Sequence, residues 1–148
     1  EQSEVWCNDG GVKYQIFGAK PEFSWVYENS TTESPAVSDK GYKVSNTKTA
    51  VKYKGVKSSV FSLTKAMSFS GTITVDDHLT ATSWTASFVV YSEDGTAVLA
   101  SGSTTTSVTK SGTLPAGKYY IVAGASGANV PSDAAEMALA YTFTFDLK

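Results

Sequence analysis

Leu139-Ala140-Tyr141-Thr142-Phe143-Thr144-Phe145-Asp146-Leu147 alternates without interruption: every odd residue is apolar, and every even one but Ala140 is polar. Successive strand side chains point to opposite faces, so this is a strand with one face on a core and one in water. Working outward, the same period recurs in short runs separated by Gly, Pro, Asn, Asp and Ser. Trp84 to Tyr91 leads into a hairpin turn at Ser92-Glu93-Asp94-Gly95, and Thr96 to Ala100 returns. Lys118 to Ala123, Thr104 to Lys110, Met67 to Val75 (with Gly71 read as a bulge), Val60 to Thr64, Thr49 to Lys54, Tyr42 to Val44, Glu22 to Tyr27 and Val12 to Phe17 complete the set. The Gly55 to Ser59 stretch reads as a connection, and Asn29 to Lys40 as a polar loop.

Helical periodicity is confined to 131–137, where Ser132 or Asp133 could cap a turn or two and Glu136 lies close to capping-box spacing. Some nine to ten short strands with no helices between them predict an all-β fold, an antiparallel β-sandwich of jelly-roll-like form. At 148 residues the chain is expected to be one domain, 1–148, with flexibility only over 1–11. The chain begins at Glu1, which reads as a fragment of a longer, processed protein.

Charge is unevenly distributed. From Lys40 to Val75 there are seven lysines (Lys40, Lys43, Lys48, Lys52, Lys54, Lys57, Lys65) and no acid, while the rest of the chain holds five lysines against all 14 acids. A net charge of −2 thus conceals a strongly cationic segment, and clustered like charge concentrates ions of opposite sign. Alternation over Thr49 to Lys54 puts Lys52 and Lys54 on one face, roughly 6.7 Å apart at the standard strand rise. The pI near 5.3 and the absence of Arg argue against nucleic acid. No apolar run reaches the roughly 20 residues that cross a bilayer as a helix.

Catalytic constellations are weak. His78 is the single histidine, no Gly-x-Ser-x-Gly supports a serine triad, and no glycine-rich phosphate loop opens a helix. The lone Cys7 forms no internal disulfide. Loop carboxylates at Asp9, Asp76 and Asp94 could take calcium, but without recognisable ligand spacing; no cofactor is expected. Binding features are stronger. Trp84, Tyr53, Tyr91, Tyr119 and Tyr120 occupy strand positions, where an outward ring could stack on a sugar. Lysines are almost never fully buried.

Ala50-Val51-Lys52, then Ser58-Ser59-Val60-Phe61-Ser62-Leu63-Thr64-Lys65-Ala66, then a Thr-Val strand, Phe88 to Thr96 and Thr113-Leu114-Pro115-Ala116-Gly117-Lys118-Tyr119-Tyr120-Ile121 form one pattern in order and spacing. It resembles the small β-sandwich modules attached to bacterial pectate lyases and pectin esterases, and among named groups family 77 of the carbohydrate-binding modules. The likeness spans about Tyr42 to Val122. It implies a secreted or cell-surface, non-catalytic, monomeric module of a larger plant-wall enzyme that binds homogalacturonan or weakly esterified pectin through lysines. Lys52 is the lysine that matches the pattern. Face and charge add Lys54 and Lys57, with Lys43, Lys118, Trp84 and Tyr53 in support. The alternatives are a neutral-glucan module with an aromatic platform, and a structural or adhesive cell-surface sandwich with no sugar ligand.

Overall fold

A computed structural model describes residues 20–28, 33–47, 54–78, 84–126 and 140–148. Eleven strands lie within them: β1 (Trp25–Tyr27), β2 (Ala36–Ser38), β3 (Lys43–Asn46), β4 (Gly55–Ser58), β5 (Phe61–Leu63), β6 (Met67–Asp77), β7 (Thr85–Ser92), β8 (Ala97–Ala100), β9 (Ser107–Leu114), β10 (Gly117–Ser126) and β11 (Ala140–Leu147). They form two antiparallel sheets packed face to face, the expected all-β sandwich. The first runs β1-β4-β10-β7-β8, with β5 also on β10, and the second runs β2-β3-β11-β6-β9.

The alternating strands supply the core as their period requires. Tyr141, Phe143, Phe145 and Leu147 of β11 are buried, as are Phe23, Trp25 and Tyr27 at the start of the described chain. Phe143 lies 4.8 Å from Phe88 and 5.3 Å from Phe145, and Phe23 meets Phe145 edge-on at 4.9 Å. Such ring pairs contribute about 0.5–1.5 kcal/mol each beyond the area they bury. The second sheet's outer face explains the abundance of threonine and serine. Thr72 and Thr109 pair across β6 and β9 at 2.7 Å, and Ser111 donates to Ser70 at 2.9 Å. Hydroxyl pairs of this kind favour strands on a solvated face.

Three local expectations are corrected. Gly71 is not a bulge: its register with Phe145 and Lys110 is continuous, and the shift in β6–β11 pairing falls at Ala140/Tyr141. Gly71 is required by packing, because a Cβ there would meet the Phe69, Phe88 and Phe143 rings at 3.0–3.1 Å. Gly55 to Ser58 is a strand and not a connection, since β10 provides an open edge for it at Val122–Gly124. The break comes at Ser59-Val60, where the buried Ser58 hydroxyl accepts from the Ile121 amide at 2.9 Å and donates to the Ser59 carbonyl. The polar loop ends in β2, whose three exposed residues pair with β3. The strands read at Val12–Phe17 and in 49–53, and the helical turn at 131–137, lie outside the described residues.

Candidate functional site

The site is built on the outer face of the first sheet. In β10, Tyr119, Ile121, Ala123 and Ala125 are buried, so Lys118, Tyr120, Val122 and Gly124 face out. In β4, Lys57 faces out between buried Val56 and Ser58. In β7, Ser87, Val89 and Tyr91 face out between buried Ala86, Phe88 and Val90. The antiparallel register sets three rows across the strands. Val26, Lys57, Val122 and Val89 form one. Tyr120 opposite Tyr91 forms the second, and Gly55, Gly124 and Ser87 the third.

The middle of this face is a ridge. The Tyr91 and Tyr120 rings stack with centroids 5.2 Å apart and planes 21° apart. The Lys57 ammonium sits 4.7 Å from the Tyr120 centroid. β4 and β7 flank β10 on opposite sides, so Lys57 and Tyr91 reach the Tyr120 ring from the two neighbouring strands. A cation over an exposed aromatic face gains about 0.5–1 kcal/mol, which holds this ammonium in place before any ligand arrives. Lys118 is two residues from Tyr120 on the same side of β10, roughly 6.7 Å along the strand.

Beside the ridge is a shallow trough of about 190 Å³, lined by Glu28, Lys54, Gly55, Ser87, Val89, Tyr91, Val122 and Gly124 among others. That is below the roughly 300–1,000 Å³ of enclosed ligand pockets, so it suits a ring lying on a surface. Two glycines face each other there because the strands approach closely: the Lys54 carbonyl and the Gly55 backbone fill the space a side chain would take at Gly124, and the Glu28 carboxylate lies over Gly55.

The lysines of the cationic segment do not share one surface. The chain passes from β3 in the second sheet to β4 and β5 in the first and back to β6 in the second. Lys43 therefore projects from the outer face of the second sheet, opposite Thr144, away from Lys57. Lys40 lies in the 3-10 turn before β3, and Lys65 in the connection between β5 and β6. Lys57 and Lys118 share the outer face of the first sheet, roughly 13 Å apart along β10, and Lys54 lies at the edge of the trough. Lys52 and Tyr53 lie outside the described residues, as does the shared face of Lys52 with Lys54. Trp84 is corrected as a stacking residue: only 2% of it is exposed, and its indole belongs to the core.

The calcium candidates Asp76 and Asp94 are engaged locally. Asp76 accepts from the Thr142 hydroxyl at 2.6 Å. Asp94 accepts from the Ser92 hydroxyl and the Thr96 amide in the hairpin turn, bonds that hold its carboxyl below the usual range. Asp9 is outside the described residues. Among the described residues no three His, Cys, Asp or Glu side chains gather as a metal site. A second depression, lined by Lys20, Pro21, Glu22, Asp39, Lys40, Tyr42 and Asp146, lies elsewhere on the surface. Lys20 pairs there with Asp146, and burial together with the Asp146 charge pushes Tyr42 up to about 12.

Sequence reasoning named Tyr120 and Tyr91 only among several aromatics. The signal separating Tyr120 from Tyr119 was present, since apolar Ile121 and Ala123 share Tyr119's parity. Glu28 and the glycine pair had no sequence signal, because the Gly55–Gly124 pairing exists only in the ladder. No protein-family model and no curated protein matches the chain.

Proposed function

We propose that the protein is a non-catalytic carbohydrate-binding module that holds an acidic plant-wall polysaccharide, homogalacturonan or weakly esterified pectin, on the outer face of the first sheet. The observation that carries the reading is the placement of Lys57 and Lys118 on that one face, with Lys57 held over Tyr120. Lysine ammoniums donate to carboxylates, and a repeating polymer engages several at once. Each contact contributes only about 0.2–1 kcal/mol at a wet surface, so affinity grows by addition along the chain. The resemblance to pectin-binding modules supplies the candidate polymer.

Affinity electrophoresis through polygalacturonate tests this. Migration should be retarded, the retardation should weaken as salt rises, and fully esterified pectin should retard least because its carboxylate charge is gone. Unretarded migration, or retardation indifferent to salt, refutes it. The stacked Tyr91–Tyr120 pair also favours a second reading, a neutral-glucan surface. That reading predicts salt-independent retardation by β-glucan and its loss in Tyr91→Ala, with Lys57→Ala and Lys118→Ala indifferent.

A further inference from the structure

Resting on that reading, we infer that the trough at Gly55 and Gly124 is a subsite for an uncharged, hydroxyl-bearing sugar ring, with Glu28 as its specificity-determining residue. The bound chain would then be read as charged units at Lys57 and Lys118 next to a neutral or esterified unit in the trough.

The floor is apolar and flat at Val89 and Val122, which lie opposite each other across β7 and β10. A sugar's C–H face can rest there, beside the Glu28 carboxylate over Gly55. Glu28 is exposed, its backbone amide is bonded to the Gly55 carbonyl at 2.9 Å, and its carboxylate lies over Gly55. Among the described residues Lys20 is ion-paired with Asp146, and no ion pair engages that carboxylate. An ionised carboxylate only accepts hydrogen bonds. A sugar hydroxyl donates, so a neutral ring with adjacent hydroxyls satisfies Glu28. A uronate carboxylate only accepts, and would leave Glu28 facing like charge. The trough thus selects by charge in the opposite sense to the ridge beside it.

The test is isothermal titration calorimetry of the whole protein with two sets of oligogalacturonides of equal length, fully de-esterified and partly methyl-esterified. The wild type should prefer the partly esterified set. Glu28→Gln keeps the shape and removes the charge, and should move the ratio toward the de-esterified set by roughly two- to fivefold, the size of one charge contact at a wet surface. Gly55→Ala is the second variant. Its added Cβ meets the end of the Glu28 side chain first, which can swing away, so the fold is kept while the carboxylate is displaced from the trough. It should weaken the partly esterified set selectively. An unchanged ratio in both variants, or a Glu28→Gln effect equal on both sets, overturns the subsite while leaving the lysine reading intact. A wild type that binds neither set overturns the lysine reading, and the subsite falls with it.

Discussion

Lys57 should be energetically coupled to Tyr120 and independent of Lys118, although both lysines face out from the same sheet. Lys57 lies opposite Val122 on β10, and Lys118 is four residues back along that strand. At the standard rise this separates them by roughly 13 Å, more than the Debye length of about 8 Å at physiological salt. Each lysine-to-alanine change removes a contact of about 0.2–1 kcal/mol, or some 1.4- to fivefold in affinity. Lys57→Ala/Lys118→Ala should therefore multiply to roughly two- to 25-fold, additive in free energy within about 0.3–0.5 kcal/mol. The Lys57–Tyr120 pair differs, because the ammonium rests 4.7 Å from the ring centroid. Tyr120→Ala releases Lys57 from its position, so the Lys57→Ala/Tyr120→Ala cycle should show about 0.5–1 kcal/mol of coupling. Calorimetric titration of polygalacturonate oligomers into the six proteins (wild type, three single variants and two doubles) gives both numbers. Additive behaviour of Lys57 with Tyr120, or strong coupling of Lys57 with Lys118, would refute the pre-positioning argument. A double lysine variant with wild-type affinity would refute the electrostatic one.

Gly71→Ala should destabilise the fold by about 1–3 kcal/mol in urea denaturation, because three core rings lie at 3.0–3.1 Å from the added methyl. Unchanged stability would show that the rings move aside freely. Trp84→Phe should lower the thermal midpoint, since it opens space in the core, while leaving polysaccharide affinity unchanged by titration; lost affinity in the folded variant would return Trp84 to the site. Stability should also fall as pH rises from 10 to about 12, followed by chemical denaturation at each pH. Tyr42 stays protonated in the native state after the unfolded chain has begun to ionise, so its contribution is complete below pH 10 and is lost through the folded value. Burial shifts Tyr141 upward in the same sense, so Tyr42→Phe should reduce the slope without abolishing it.

The fold was legible because alternation is a local property. Phe23, Trp25 and Tyr27, like Tyr141, Phe143, Phe145 and Leu147, point inward wherever their strands pair, and the period alone shows it. Gly71 was misread because a glycine in a strand has two explanations, a bulge or a crowded neighbour. Only the three rings from β6, β7 and β11 decide between them. β4 was misread because Gly55-Val56-Lys57-Ser58 is short and begins with glycine, and its pairing is supplied by β10, more than sixty residues away.

The site shows the same division more sharply. The sequence by itself determined that the lysines are many and that they are contiguous in the chain. It could not determine which lysines are neighbours. Contiguity in sequence becomes contiguity on a surface only while the chain stays in one sheet, and here it crosses from the second sheet to the first and back. Lys43 is therefore parted from Lys57, while Lys118, far along the chain, reaches the same outer face by way of β10, four residues from the Lys57 partner Val122. Trp84 followed the same logic in reverse, since a residue at the head of a strand has two faces open to it and the opposing sheet took this one. Side-chain direction is set by the local backbone, but partnership across strands is set by ladder register and sheet order, which only the assembled sandwich fixes.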